Sequence, residues 1–334
     1  MQRRDNWSME TAAKRYHKYW RFDPKATTNE IGLTDKRLDR LYAFFIHGYL
    51  ATDMLHALVD SEVSQKFTTE ELKRLKRIPN SYLEKPRQQE DSLDARSSRL
   101  IYRISHKGVE ALINAGRITP GDAQLWRKLR SQQKENQFWH DAATSYVSAS
   151  LALGSQQLGL QFISVYDIIR DAPAKTRDVP NPLAIQYEKS FFTPDLLCGF
   201  RDQLQTTHIM HETDMGTEQT KLHEVKNSTL SRKYLGYRNM LSRDWHTELF
   251  GIPSVKILFS TTKHERLSNL KKAFKQIADL DTRAAGVGPI YLRCLPELDR
   301  HNHMKLIPTG TLLLDPWQRV TADPTYLHKK KTAA

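Results

Sequence analysis

The segment HIMHETDMGTEQ, residues 208–219, carries Glu212 and Asp214 two apart in a short apolar stretch that ends at Gly216. Upstream, FFTPDLLCGF places Asp195 between apolar neighbours. Carboxylates are costly to bury unless something pairs with them, so acids in strand-like segments call for a counter-charge. Side chains alternate faces along a strand. Glu212 and Asp214 therefore point one way, and Ile209, His211 and Thr213 the other. If the two segments form a hairpin with Phe200 opposite Thr207, Asp195 falls opposite Glu212, with Cβ atoms ~5 Å apart. Three carboxylates then converge, and a hard divalent cation such as Mg²⁺ or Mn²⁺, held through oxygen ligands, relieves their repulsion. The same acids can instead pair with Arg or Lys, and Asp214 can cap the helix that follows.

The elements that must hold these acids read as alternating strands and helices. LQFISVYDIIRD is a strand leading into a short helix, and AIQYEKSFFTPDLLCGF with TTHIMHETD is a hairpin around RDQLQ. A long basic helical region covers roughly 217–243. SVKILFSTT is a buried strand, HERLSNLKKAFKQIADL an amphipathic helix with Leu267, Leu270, Phe274 and Ile277 on one face, and PIYLRCL a late strand. This is a mixed α/β domain. Ahead of it, QFWHDAATSYVSASLAL reads as a helix with Phe138, Ala142, Tyr146 and Leu151 packed. His140 near its start is either a structural histidine or a support for the acids.

Residues 34–116 read as a compact helical unit with a β-ribbon. Thr34 caps a first helix ended by Gly48, ATDMLHALV gives a second, and TTEELKRLKRI a third with a Thr cap. NSYLEK and RLIYRIS are two strands around a polar linker. Ser105 caps a last helix closed by Gly116. Three helices, a ribbon and a flanking helix match a winged helix, whose third helix enters the DNA major groove. That helix offers Lys73, Arg74, Lys76 and Arg77, and the wing offers Lys85, Arg87, Arg96 and Arg99. A solvated helix face or a protein-contact surface is the alternative.

The balance of 51 Lys+Arg against 38 Asp+Glu, a formal net charge of +13, favours a polyanionic partner, most simply nucleic acid, and with the winged-helix reading the expected partner is double-stranded DNA. Only two cysteines, Cys198 and Cys294, are present, which excludes a disulfide framework or a cysteine-based zinc site. No apolar run approaches the ~20 residues of a membrane span. The polar N-terminus has no signal-peptide apolar region, so the expected location is cytoplasmic, with no membrane partner.

In order, a winged-helix segment, a helix with its histidine, PDLLCGF, HETDMGTEQ, a Lys–Tyr helix and VKILFSTTKHERLSNL resemble the plasmid replication-relaxation family of mobile elements. The resemblance covers about residues 34–280. It implies a role in replication and DNA relaxation, with other replication or mobile-element proteins as further partners. The C-terminal part also resembles the restriction-endonuclease-like fold, in which a PD and a (D/E)-x-K on neighbouring strands bind metal and activate water. Asp195 matches the first acid and Glu212 the second, while the lysine position is held by Asp214. Lys233 can replace that lysine from the helix, forming with Tyr237 a K-x-x-x-Y pair on one helical face. Lys221 and Lys226 are rivals. His301 and His303 are too sparse for the histidine cluster of a tyrosine relaxase.

The expected fold class is therefore α/β (α+β), a winged helix followed by a nuclease-like domain with a central mixed sheet. Its divisions are a helical extension (1–33), the winged helix (34–116), a connector (117–135), the nuclease-like domain (136–315) and a basic tail (316–334). Asp195, Glu212 and Lys233 are the expected catalytic residues, and Asp195, Glu212 and Asp214 the metal ligands, with His140 and Tyr237 in support. Two functions follow. One is a DNA-binding replication protein with Mg²⁺- or Mn²⁺-dependent nicking or cleavage. The other is a non-catalytic DNA-binding accessory or regulator on a degenerate nuclease-like scaffold.

Overall fold

The structure, a computed structural model, describes residues 30–77, 79–89, 100–133, 135–215, 229–280, 289–298 and 307–328. Within them the chain is a mixed α/β protein. The N-terminal helices are α1 (Asp35–His47), α2 (Thr52–Val59) and α3 (Gln65–Lys76). Strands β1 (Leu50–Ala51), β2 (Leu83–Glu84) and β3 (Ile101–Ile104) form a small antiparallel sheet in the order β1-β3-β2. Then come α4 (His106–Asn114), α5 (Pro120–Ser131) and α6 (Phe138–Gln157).

The helix ends follow local chemistry. Thr34 and Ser105 each accept a backbone N–H as N-caps of α1 and α4. Gly48 and Gly116 follow α1 and α4 with φ of 85° and 66°, a region that favours glycine. One expectation shifts. α3 begins a turn earlier than the Thr cap implied, because Ser64 is the N-cap. Thr68 instead lies inside the helix, fully buried, and its hydroxyl donates to Asp60 (2.9 Å). Buried ion pairs bind these helices together. Arg40 grips Asp60 with two hydrogen bonds (2.8 and 3.0 Å), and Glu71 of α3 accepts from Arg37, Arg40 and Arg74.

The main sheet has six strands in the order β11-β10-β9-β8-β7-β4. They are β4 (Gln161–Ile163), β7 (Leu196–Arg201), β8 (Thr206–Asp214), β9 (Val255–Thr261), β10 (Ile290–Cys294) and β11 (Gln318–Arg319). β8 and β9 pair in parallel, as do β9 and β10, and the other neighbours are antiparallel. Short helices α7 (Val165–Asp171) and α8 (Ala174–Arg177) precede a two-stranded ribbon, β5 (Ile185–Tyr187) and β6 (Ser190–Phe192). Helices α9 (Thr229–Ser242) and α10 (Trp245–Phe250) lie in the crossover from β8 to β9. α11 (His264–Leu280) lies in the crossover from β9 to β10, and α12 (Thr311–Leu314) precedes β11.

α9 and α11 cover one sheet face, where Tyr237 and Phe274 meet Phe259 of β9 edge-on (6.0 and 5.0 Å). α6 covers the other and is buried nearly all round, as a helix between two layers must be. Residues 316–328, expected as part of a basic tail, belong to the fold. Trp317 is fully buried, its indole N–H donates to the Leu312 carbonyl (2.7 Å), and Gln318 and Arg319 pair with β10.

The N-terminal unit packs directly on the sheet body. Phe45 stacks on Tyr166 (4.3 Å between centroids) and Tyr49 meets Phe138 edge-on (5.4 Å). The Tyr49 backbone N–H donates to Ser145 Oγ (3.0 Å), and His47 Nδ1 shares a hydrogen bond with Ser148 Oγ (2.7 Å). Buried apolar side chains from α1 through β11 form one continuous core. Cys198 is buried, and both cysteines are free thiols. No helix among the described residues is long and apolar enough to cross a membrane.

Candidate active site

β7 and β8 pair in the expected register, Phe200 opposite Thr207 and Leu196 opposite His211. One step past the ladder sets Asp195 across from Glu212. The chain leaves the sheet there, and the Asp195 carboxylate substitutes for a backbone carbonyl by accepting the Thr213 N–H (2.7 Å). Glu212, at 1% exposure, faces α9.

Two helices hold the pair. From α9, the Lys233 ammonium donates to Glu212 Oε2 (2.5 Å) and to Asp195 Oδ1 (3.3 Å). One turn on, the Tyr237 hydroxyl donates to Glu212 Oε1 (2.6 Å). The spacing of four residues puts both donors on one helical face. Tyr234 stacks on Phe274 (4.0 Å) and fixes the rotation of α9. Phe192 of β6 meets Tyr237 edge-on (4.9 Å), with its ring against the bare backbone of Gly236. From the other side, His140 Nε2 in the first turn of α6 bonds Asp195 Oδ2 (3.0 Å), and Thr144, one turn later, shares a hydrogen bond with Thr213 (3.0 Å).

The electrostatics divide the two acids. Burial alone would raise the Asp195 pKa, but the Lys233 charge and the His140 hydrogen bond hold it well below the usual carboxylate range. Glu212 goes the opposite way. Burial, then the Asp195 charge, push it up to about 8 against the pull of Lys233 and Tyr237. Burial works against the charge of Lys233, yet Glu212 and Asp195 keep it raised. His140 is likewise opposed by burial, and the carboxylates of Asp141 and Asp195 carry it to about 10. Its Nδ1 stands 3.6 Å from Asp141, an ion-pair rather than a hydrogen-bond distance.

Asp214 departs from the expected ligand set. It shares the Glu212 face but is gripped at both oxygens by the buried guanidinium of Arg266 on α11. Its charge is already matched there, so the expected convergence of three carboxylates reduces to two. Among the described residues no group of three or more His, Cys, Asp or Glu could hold a metal ion. Asp195 and Glu212 nevertheless lie no farther apart than the two Lys233 hydrogen bonds laid end to end, and both line an open cavity. One or two carboxylates, completed by water and substrate phosphate oxygens, is the usual Mg²⁺ arrangement. The pair supplies that number of carboxylates, with the Lys233 ammonium bridging them.

The cavity measures about 790 Å³ and lies between the N-terminal unit, the start of α6 and the acids. Sequence reasoning missed it, along with Arg266 and the Thr213 N–H. Arg266 had one signal, its place just beyond the polar exit of β9.

The expected DNA-contact residues scatter more widely. Lys73 and Arg74 are exposed on α3 but pair with Glu70 and Glu71 (2.8 Å each). Lys76, Arg77 and Lys85 are half-buried, and Arg87 is exposed. Arg96, Arg99, Lys221, Lys226, His301 and His303 lie outside the described residues. No family model, curated protein or solved structure matches the chain.

Proposed function

We propose that the chain is a DNA-binding protein of plasmid or mobile-element replication that nicks or cleaves DNA by divalent-metal-dependent phosphodiester hydrolysis. One observation carries this reading. Lys233, from a helix, reaches both Asp195 and Glu212, and so fills the cationic position that Asp214 leaves vacant on the strand. Asp195 and Glu212 would hold Mg²⁺ or Mn²⁺, which when bound supplies an activated water and offsets charge on the phosphate. Lys233 presents a second cation where charge develops on the phosphoryl oxygens. Tyr237 and His140 keep the carboxylates aimed. Water forms a bond to phosphorus, one P–O ester bond breaks, and the departing oxygen leaves as an alcohol. The excess of basic residues and the winged-helix reading of α1–α3 with β2 and β3 support duplex DNA as the partner.

A second reading, a replication accessory that binds DNA without cutting it, is favoured by one observation. Every oxygen of Asp195 and Glu212 already has a protein hydrogen-bond donor. Incubation with supercoiled plasmid and Mg²⁺ or Mn²⁺, with EDTA as control, separates the two. Conversion to open circle by the wild type, lost in Asp195→Ala and reduced in Lys233→Ala with duplex affinity intact, supports hydrolysis. Retention on a gel with no conversion under any divalent metal supports the accessory.

A further inference from the structure

The cavity before the acids is larger than a phosphodiester needs. At about 790 Å³ it falls in the range that encloses whole small ligands, roughly 300–1,000 Å³. Its lining is not a ring of free cations either. Arg103 and Arg130 both line it, and both are held by the Glu84 carboxylate (2.8 and 2.9 Å). The chain between α5 and α6 adds uncharged carboxamides to the lining, among them Gln133 and Asn136, both exposed. Trp139 also lines it, half-buried, with its ring braced edge-on against Phe138 at 4.9 Å. Trp139 immediately precedes His140, the side chain that bonds Asp195.

These are surfaces for a base rather than for a phosphate. A carboxamide carries both a donor and an acceptor and matches the edge of a nucleobase. An aromatic face in a cleft stacks a base whatever its identity. A base within a duplex is paired and stacked, and cannot enter such a recess without leaving the helix. We propose that the cavity receives an unpaired nucleotide next to the scissile phosphate, stacked on Trp139, so that the site acts on single-stranded or locally unpaired DNA. The cutting half of this inference rests on the hydrolytic reading above; the binding half does not.

The test therefore has two arms. In EDTA, fluorescence anisotropy follows the full-length protein with fluorescein-labelled dT15 and with a paired duplex of equal length. Trp139→Ala lowers the preference for dT15 over duplex at least about fivefold, the lower end expected for losing one stacked base. Trp139→Phe, which keeps an aromatic face and guards against misfolding of the alanine variant, restores most of it. No change in that preference overturns the inference. In the second arm, wild-type protein with Mg²⁺ or Mn²⁺ meets a single strand, a fully paired duplex and a duplex with a mismatched bubble. Cutting confined to the single strand and the bubble supports the inference, and equal cutting of the paired duplex overturns it. Trp139-dependent binding with no cutting of any substrate supports the cavity as a nucleotide site and sinks the hydrolytic reading alone.

Discussion

Glu212→Gln isolates the charge of a deeply buried acid while keeping its shape. The Tyr237 hydroxyl can still donate to the amide oxygen, and below about pH 8 the glutamine replaces a carboxyl that is itself neutral in the folded protein. The informative quantity is the pH dependence. Glu212 is raised in the folded protein from the ordinary 4.5 to about 8. Below about pH 4.5, it holds its proton in both states, and its contribution to stability is fully present. From there to about pH 8, the unfolded chain releases the proton while the folded protein keeps it. Stability therefore falls as pH rises, and the loss is complete above the folded value. At about 1.4 kcal/mol per unit, the whole window is worth roughly 4–5 kcal/mol. Asp195 is held below its ordinary range and Lys233 above its own, so neither titrates in this interval. Urea unfolding of both proteins at several pH values should show the stability difference moving steadily in favour of the glutamine variant up to about pH 8. Two curves that stay parallel within about 0.5 kcal/mol, the size of an ordinary surface substitution, would refute the reasoning. Glu212 would then ionise normally, with its Lys233 pairing outweighing burial.

Removing Lys73 and Lys76 together by alanine substitution should weaken duplex binding and lower the log–log salt slope by about 0.9 for each phosphate no longer neutralised; an unchanged slope in a folded variant would take α3 off the DNA face. Gly236→Ala sets a Cβ 2.4 Å from the Phe192 ring, and chemical denaturation should report a loss of about 1–3 kcal/mol as the ring and Tyr237 are displaced. Glu71→Gln removes the carboxylate shared by Arg37, Arg40 and Arg74 while Arg40 keeps Asp60, and should cost about 1–3 kcal/mol in the same assay.

The sequence carried the hairpin register and the pairing of Asp195 with Glu212 because strand alternation and a short loop leave few registers open. Lys233 and Tyr237 were equally readable, since four residues is the spacing of neighbours on a helix. Asp214 was misjudged because its neutralising partner, Arg266, lies 52 residues further along and on another element. Nothing local distinguishes an acid awaiting a metal from one already gripped. The start of α3 slipped because Ser64 and Thr68 are both competent caps, and only the buried Asp60 decides between them. β1, β5, β6 and β11 are two or three residues long, too short for periodicity to register. The cavity is a property of how α5, α6 and β3 meet the sheet, and no single stretch encodes it.

The continuous core that joins α1 to the sheet body has a consequence for reach. Phe45 on Tyr166 and Tyr49 on Phe138 pack the N-terminal unit, whose α3 carries the exposed Lys73, directly against the body that carries the acids. The molecule is thus a caliper with fixed jaws. On the proposed function, wherever the first jaw clamps, the second touches the nucleic acid at one set offset. Neither jaw can be cut away without exposing the core that both share.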